Sequence, residues 1–261
     1  MTSAIESRHN PRFKQWKRYL QHPQQADCPW VPVEGYRHVA EAAASVTLEL
    51  LLYCDPDDSR LPSLRDKAVD SVHLTPSLFN RLSGVKTPQG VMAFVKKPHW
   101  SADDLTDCVL VADGLQDPGN LGTLMRSAAA VGASMASTAG SVSRFNLKAV
   151  RASASLLFRV PFLEDVSFEA LGQRGYVLWT ASAQGRRTLF QTRIPSRLAV
   201  ILGSEGRGPS AAALHHSQGR VRIPMRPEAE SLNASVAGSL ILYEWFRRGG
   251  QEGWENASLR R

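Results

Sequence analysis

The sequence predicts an α/β protein of two domains, a small one followed by a larger one built on a mostly parallel sheet with helices on both faces. Short apolar runs that suit buried strands alternate with helical segments along most of the chain. Residues 98–107 interrupt this alternation with Pro98 and the acidic pair Asp103-Asp104, so we place a linker there. The 261 residues, 43% of them hydrophobic, are enough to form two cores.

The first domain, residues 1–97, opens with a basic helix that begins at Asn10-Pro11. Apolar and aromatic residues of this helix lie among the basic residues that cluster early in the chain: Phe13, Trp16, Tyr19 and Leu20 among Arg8, Arg12, Lys14, Lys17 and Arg18. Side chains in such a pattern can stack on bases and contact phosphates. The same pattern is equally typical of an amphipathic helix whose apolar face is buried. Further on we expect a helix near 38–45 and strands at 31–35, 48–54, 71–74 and 90–96.

The second domain, residues 108–250, has the more regular rhythm, and residues 251–261 form a C-terminal tail. Strands are predicted at 109–112, 134–138, 176–180, 198–202 and 220–224. Their alternation with helices predicts a parallel sheet. Ligands of such sheets bind beyond the carboxyl ends of the strands, so the loops at those ends are the candidate site.

The first of these loops leads into a helix that carries Arg126. Asp117-Pro118-Gly119 predicts a tight turn, and Asn120 is placed to cap the helix that follows. An arginine two turns into this helix is able to hold a phosphate bidentately. The alternative for Arg126 is an ordinary surface salt bridge.

The second loop, residues 201–210, is rich in glycine and follows the most apolar run of the chain. Glycines such as Gly203 let the backbone approach a ligand closely. The loop is neither G-x-G-x-x-G nor a P-loop, so the common nucleotide motifs are absent from the sequence. An ordinary glycine-rich turn would look the same.

The last helix is expected to start near Ser231. Leu232, Val236, Leu240 and Tyr243 recur at helical spacing and predict an apolar face that is buried. The N-terminus of such a helix suits a carboxylate or phosphate, although Ser231 is also compatible with a simple N-cap.

Composition narrows the class of protein. The net charge of +7 indicates an anionic partner. Cys28, Cys54 and Cys108 are widely separated, which favours a reducing compartment. We expect a cytoplasmic protein with no membrane span, because no apolar stretch is long enough for a signal peptide or a bilayer. The seven histidines show no metal-ligand spacing, so no metal site is expected.

Three motifs together resemble a known family. They are N-x-G-x-x-x-R at residues 120–126, L-G-x-E-G-x-G at 202–208, and I-P-M with S-L-N-x-S-V-A at 223–237. In this order they closely resemble the SpoU (TrmH-like) family of RNA 2′-O-ribose methyltransferases, of the SPOUT superfamily, over residues 108–248. Asn10-Pro11, Glu34-Gly35 and Pro88-Gln89-Gly90 resemble that family's L30e-like RNA-binding domain.

The resemblance implies a fold, a cofactor and partners. It implies a deep trefoil knot in the second domain, S-adenosyl-L-methionine as methyl donor, and a homodimer whose active site is completed across the interface. The substrate would be RNA, with 23S rRNA favoured and tRNA as the alternative. The cofactor-binding positions that it implies are Gly203, Ile223, Met225 and Leu232.

The catalytic positions that the resemblance implies are Arg126, Asn120, Glu205, Ser231 and Asn233. Arg126 matches the family's essential arginine, for which a general-base role has been proposed. Because a guanidinium stays protonated in proteins, we expect Arg126 to hold the target phosphate and to stabilise alkoxide charge. Glu205 is the motif carboxylate placed to act as a base, or it binds backbone N–H groups or Arg126. Asn233 contacts the donor or caps the last helix.

Two other classes of protein fit less well. A nicotinamide-dependent oxidoreductase would show G-x-G-x-x-G after its first strand, which this chain lacks. A catalytically silent RNA-binding protein would lose the polar motif residues, which are all present. Ser155 departs from the family, since it stands where a glycine or alanine is common.

Overall fold

The computed structural model describes residues 5–25 and 27–249, so the predicted tail at 251–261 lies outside the described residues. The chain divides into two compact units. The first contains the chain up to His99 together with Ser143–Phe158, and the second contains Trp100–Val142 and the chain from Arg159 onward. No helix in the described ranges is long and apolar enough to cross a membrane.

The first unit holds a four-stranded mixed sheet in the order β1-β4-β2-β3. Strands β2 and β3 are parallel, and β4 runs antiparallel to both β1 and β2. All four predicted strands form, with ends shifted by up to three residues. The elements are α1 Pro11–Gln21, β1 Trp30–Glu34, α2 Tyr36–Ala43, β2 Leu48–Tyr53, α3 Leu61–Arg65, β3 Ala68–His73, α4 Pro76–Leu82 and β4 Val91–Lys96.

Helix α1 settles the two interpretations of its aromatic residues. Asn10 caps the helix by accepting the Arg12 N–H at 2.9 Å. The apolar positions Phe13, Trp16, Tyr19 and Leu20 are all buried in the core of the unit. They are therefore the inner face of an amphipathic helix. The interpretation in which these side chains stack on bases is wrong. Two of the basic residues are engaged as well, because Arg12 pairs with Asp70 and Arg18 with Asp27.

The segment Ser143–Phe158 packs with the first unit although it is flanked in sequence by parts of the second. It contains α6, Leu147–Ala152, and the hydroxyl of the buried Ser155 donates to the carbonyl of His38 at 2.8 Å. Ala154 and Ser155 have φ values of 49° and 61°, in the left-handed region. A serine with this backbone conformation is strained, and its buried hydrogen bond offsets part of that strain.

The second unit is built on a seven-stranded sheet in which every pairing is parallel, with the order β7-β6-β5-β10-β8-β11-β9. Its strands are β5 Cys108–Asp113, β6 Ser134–Ser137, β7 Phe162–Leu163, β8 Val177–Ala181, β9 Arg187–Thr188, β10 Leu198–Gly203 and β11 Gly219–Arg222. The sequence analysis missed β7 and β9 because two-residue strands carry no periodicity. The knot that the resemblance implies stays a prediction.

Helices cover both faces of this sheet, as the sequence predicts. They are α5 Pro118–Val131, α7 Phe168–Gln173, α8 Ala211–His216 and α9 Ala234–Arg247. Val109 and Val111 of β5 share a core cluster with residues of α7 and α8. On the other face, a Cβ on Gly238 of α9 would lie 2.6 Å from Leu202 and 3.5 Å from Leu110. Alternate side chains of a strand point to opposite faces, so α9 and the α7–α8 pair lie on different sides.

The predicted buried face of the last helix is wrong. Helix α9 buries Gly238, Ile241, Leu242 and Trp245 instead. The predicted set is 36% to 48% exposed and consists of Leu232, Val236, Leu240 and Tyr243. We call this set the α9 stripe. Helical spacing identifies residues that share a face, but it does not say what covers that face.

The C-terminal end of α9 is held by a buried carboxylate. Glu244 accepts from Arg247 at 2.7 Å and from Arg248 at 2.6 Å. Arg248 also donates to the carbonyls of Thr192, at 2.6 Å, and of Phe190. The hydrogen bonds from Arg247 and then from Arg248 lower the pKa of Glu244. The folded state therefore favours the ionised carboxylate.

We expect Glu244→Gln to lower the free energy of unfolding by about 1–3 kcal/mol near neutral pH, the usual contribution of hydrogen bonds to a charged group. Because the folded pKa is the lower one, this stability is present above the unfolded pKa of about 4.3 and is lost as pH falls through the folded pKa. Urea denaturation at several pH values measures the difference. It should shrink in acid, and a pH-independent difference would contradict the assignment. Glu228→Gln, at an exposed position, is the control.

Candidate active site

A cavity of about 430 Å³ lies beyond the carboxyl ends of β8, β10 and β11. This is the edge at which open parallel sheets bind ligands. Residues from four segments line it: Ala181, Ser182, Ala183, Leu202, Gly203, Ser204, Glu205, Gly208, Pro209, Val221, Ile223, Met225, Ser231, Leu232, Asn233, Ala234 and Ala237. Seven of the nine predicted site residues are among them. The two that are not are Asn120 and Arg126.

The loop after β10 folds back against the end of its own strand. The Gly208 N–H donates to the carbonyl of Ser204 at 2.8 Å, and Gly208 has a φ of 67°. A Cβ on Gly203 would lie 2.1 Å from both the carbonyl carbon of Gly208 and the nitrogen of Pro209. Backbone atoms cannot move aside as a side chain can, so only glycine fits at position 203. The tight turn places Glu205 at the rim of the cavity.

A chain of polar groups joins three of the predicted catalytic residues. The Asn233 side-chain amide donates to the Asn120 side-chain oxygen at 3.0 Å, and the Asn120 amide donates to Glu205 at 2.9 Å. The Asn233 oxygen accepts the N–H groups of Ser235, at 2.8 Å, and of Val236, at 3.4 Å. Those backbone donors identify the oxygen of Asn233, so its NH2 group must face Asn120. The atom of Asn120 that accepts from it is therefore the oxygen, and the NH2 group of Asn120 faces Glu205. Each amide donates towards Glu205.

The caps of two helices differ from the predictions. Asp117, not Asn120, caps α5, and its carboxylate accepts the Asn120 N–H at 2.8 Å. The side chain of Asn120 is thereby free to join the polar chain. Asn233, not Ser231, caps α9, which confirms the structural alternative for Asn233 while leaving its amide on Asn120. Ser231 is exposed and lies on the cavity wall.

The alternative role for Glu205 was to bind backbone N–H groups or Arg126, and among the described residues it makes neither contact. In the part of the chain that the structure describes, its hydrogen-bond donor is Asn120, not a backbone N–H group and not Arg126. One carboxylate oxygen, Oε1, takes the amide. Glu205 is exposed and lines the cavity, so its other oxygen is available to a ligand.

Arg126 stands apart from the cavity of its own chain. It lies on α5, six residues after Asn120, which is about 9 Å further along the helix axis. Its side chain is exposed and has no hydrogen bond or ion pair within residues 5–25 and 27–249. The surface salt bridge that was the alternative for Arg126 is therefore wrong, and its charge is free to meet an anion.

Two features of the site escaped the sequence analysis. Ala181, Ser182 and Ala183 form a wall of the cavity, and their position directly after a predicted strand could have indicated this. The buried Asp113, at the end of β5, accepts the Ser210 N–H at 2.7 Å and the Thr138 hydroxyl at 3.1 Å. Asp113 thereby ties two other residues to the end of β5: Ser210, which caps α8, and Thr138, which follows β6.

Comparison with known sequences decides the family. The sequence profile described as the SpoU rRNA Methylase family matches residues 107–243, and one described as the MRM3-like substrate binding domain matches residues 10–93. The chain belongs to the SpoU rRNA methylase family. The three motifs singled out in the sequence all lie within the matched region, and residues of two of them line the cavity.

Curated relatives align along most of the chain. The 23S rRNA (guanosine(2553)-2′-O)-methyltransferase RlmP of Bacillus subtilis is 28% identical over 245 residues, which cover 92% of this chain and 97% of the relative. A Synechocystis protein named as an uncharacterised tRNA/rRNA methyltransferase is 31% identical, with 94% of each chain covered. The 23S rRNA (guanosine-2′-O-)-methyltransferase RlmB of Xanthomonas campestris is 27% identical, with coverage of 84% and 95%.

Solved structures of the family share the fold. The SpoU methyltransferase AviRb from Streptomyces viridochromogenes, in complex with the cofactor AdoMet, superposes with a TM-score of 0.82 at 27% identity and covers 92% of this chain and 98% of its own. An RNA 2′-O ribose methyltransferase gives a TM-score of 0.75 at 28% identity, with coverage of 94% and 99%. The sheet and its helices are thus those of this family.

The glycine-rich loop offers a matched pair of substitutions. We expect Gly203→Ala to lower the free energy of unfolding by about 3 kcal/mol, because the new methyl group overlaps backbone atoms. Gly206→Ala, three residues away in the same loop, should change it by less than about 0.5 kcal/mol, because nothing lies within 4 Å of the added carbon. Urea denaturation measures both variants. Equal stabilities would contradict the packing described for Gly203.

Proposed function

We propose that the protein is an S-adenosyl-L-methionine-dependent RNA methyltransferase that methylates a ribose 2′-hydroxyl, in 23S rRNA. The observation that carries the proposal is the single cavity wall shared by Gly203, Ile223, Met225 and Leu232, the four positions at which the family motifs imply the cofactor. Relatives named as 23S rRNA 2′-O-methyltransferases support the choice of RNA. The same reaction on tRNA is the second candidate.

The chemistry of the cavity fits this cofactor. Its volume of about 430 Å³ lies in the usual range for small-molecule sites, and apolar side chains such as Leu202 and Ile223 form much of its wall. Among its lining residues Glu205 is charged, and none is a lysine or arginine. A phosphate-bearing nucleotide would be left without a cation, whereas a ligand with a cationic sulfonium is suited to such a site. The close backbone around Gly203 leaves main-chain groups to bind it.

The bound cofactor would supply a methyl group that is already activated as a sulfonium. The protein then has to align the ribose hydroxyl for an in-line displacement and to manage its proton. We assign phosphate binding and stabilisation of the developing alkoxide to Arg126, because its exposed guanidinium is unpaired in the described part of the chain and stays protonated.

Glu205 is the candidate acceptor for the hydroxyl proton. The amide of Asn120 holds one of its oxygens, and Asn233 in turn orients Asn120 from the start of α9. This leaves the second oxygen to face a substrate at the rim of the cavity. Ser231, on the same wall, is positioned to hydrogen-bond either the donor or the ribose.

The α9 stripe supports a homodimer. The α9 stripe, with Leu232 just before the helix and its other three residues on it, is one-third to one-half exposed, which favours a partner surface over solvent. Helix α5, which carries Arg126, packs against α9. Since Arg126 does not line the cavity of its own chain, we propose that Arg126 of the partner subunit completes each active site.

Transfer of a labelled methyl group from S-adenosylmethionine to bulk rRNA and to bulk tRNA tests the reaction, and nuclease digestion locates any 2′-O-methylated nucleotide. We expect label in rRNA. Arg126→Lys should lower turnover at least about 100-fold while leaving cofactor affinity within about twofold, because a lysine keeps the charge but loses the bidentate fork. The control is Arg174→Lys, at an arginine that pairs with Asp103 in the same unit.

Label in tRNA alone would move the substrate to the second candidate. Cofactor binding without label in either RNA would favour the catalytically silent RNA-binding alternative. Full turnover by Arg126→Lys would overturn the role proposed for the guanidinium. The Gly203→Ala and Gly206→Ala pair adds a check on the cavity, since only the first should lose cofactor binding.

The dimer has its own test. Leu240→Glu places a charge in the middle of the α9 stripe and should convert the dimer to a monomer at micromolar concentration, with loss of methyl transfer. Sedimentation velocity measures the change of mass. Val69→Glu, at a 70% exposed apolar residue of β3, is the control and should leave the dimer intact. A wild-type monomer that is fully active would contradict the shared site.

A further inference from the structure

The excess positive charge of the chain is concentrated in one segment. Residues 182–227 contain eight arginines, no lysine and one carboxylate, Glu205. The whole chain has 31 basic and 24 acidic residues, so the remainder carries 23 of each sign. The net charge of +7 therefore belongs to the cavity-forming half of the second unit. Helix α1 is also basic, but acidic residues elsewhere in the chain balance its charge, and two of its arginines are already paired.

The fold gathers several of these arginines at one edge of the sheet. After β8 the chain crosses the backbone of β11, where a Cβ on Gly185 would lie 2.7 Å from the carbonyl carbon of Val221 and 2.8 Å from the nitrogen of Arg222. The Ser182 N–H donates to the carbonyl of Val221 at 3.0 Å on one side of the crossing. On the other side, the Leu189 N–H donates to the carbonyl of Arg222 at 2.9 Å.

The crossing creates a cleft lined by arginine and glutamine. Its volume is about 410 Å³, and it is formed by Gln184, Arg186, Arg187, Gln218, Gly219 and Arg220. We call it the arginine cleft. Its three arginines are exposed, and across the described ranges none of their side chains has a hydrogen bond or an ion pair. Like charges held together without counter-charges repel one another, which favours an anionic ligand.

The arginine cleft adjoins the cavity proposed for the methyl donor. Ala183 lines that cavity and the next residue, Gln184, lines the cleft. Likewise Val221 lines the cavity and Arg220 the cleft. Consecutive Cα atoms are about 3.8 Å apart, so the two sites share one stretch of backbone.

We propose that the arginine cleft binds backbone phosphates of the RNA substrate beside the methyl-donor cavity, with Arg186, Arg187 and Arg220 as the contacts. The inference rests on the proposed function and adds an RNA-binding surface on the second unit. Guanidinium groups bind phosphate oxygens bidentately. A protein partner would require apolar side chains, and the lining of the cleft has none. RNA supplies closely spaced phosphates, which suit three unpaired guanidinium groups.

Filter binding of protein-free 23S rRNA and of bulk tRNA over a range of salt concentrations tests this proposal. We expect the double variant Arg186→Gln/Arg220→Gln to weaken binding of the substrate RNA about tenfold or more and to reduce the slope of log K against log salt by about 1.4, or 0.7 for each lost contact. Cofactor affinity and kcat at saturating RNA should stay unchanged, because neither residue lines the donor cavity.

The matched control is Arg174→Gln/Arg197→Gln. It removes the same charge from the same unit, but Arg174 pairs with Asp103 and Arg197 lies over the ring of Tyr176. Its salt slope should equal that of the wild type. Equal losses in both double variants would mean that net charge alone matters, and the cleft would be overturned. If Arg186→Gln/Arg220→Gln loses cofactor binding through misfolding, the single variant Arg187→Gln tests the cleft instead, with an expected slope reduction of about 0.7.

Three results distinguish the failure of this proposal from that of the proposed function. If Arg186→Gln/Arg220→Gln transfers methyl groups and binds RNA with unchanged affinity, the proposed role of the cleft is overturned and the enzymatic function stands. Arginine-dependent RNA binding without methyl transfer supports the cleft and overturns the enzymatic function. Competition by polyglutamate as strong as by RNA of equal charge would point to an acidic protein and overturn the choice of RNA.

Discussion

The close approach of two backbone segments at Gly203 is the constraint on which the site depends. The turn that closes at Gly208 lies against the end of β10, at a distance that excludes any side chain on residue 203. This contact sets the position of Glu205, and the amides of Asn120 and Asn233 then tie Glu205 to α5 and to the start of α9. Three distant parts of the sequence are thereby joined in one network.

Charge is separated in the second unit. The cavity at the strand ends has Glu205 as its charged lining residue, whereas the adjoining arginine cleft has three unpaired guanidinium groups among the described residues. A low-charge cavity suits a small, cationic donor, and a concentrated cationic surface suits a polyanion. The proposed reaction needs both ligands within reach of each other, and the crossing at Gly185 places their sites side by side.

The residues most easily predicted from the sequence are those whose role depends on local backbone geometry. Gly203 and the loop around it were recognisable as a close-approach turn, and the parallel sheet followed from alternating apolar strands. Interpretations that depended on a distant partner were wrong or incomplete. The α9 stripe is exposed, Asn120 is not a cap, and the aromatic residues of α1 are buried. For the two helices the periodicity was correct, but it did not say which neighbour covers each face; for Asn120 the cap proved to be Asp117.

The sequence by itself determined the α/β class, the motifs and the family resemblance, because these depend on residue type and spacing along the chain. Only the tertiary structure decided that Asn233, Asn120 and Glu205 form one hydrogen-bonded chain and that Arg126 lies outside its own cavity. It also decided that arginines 34 residues apart, Arg186 and Arg220, line one cleft. The physical reason is that strands distant in sequence become neighbours when the sheet forms, and spacing along the chain contains no record of strand order.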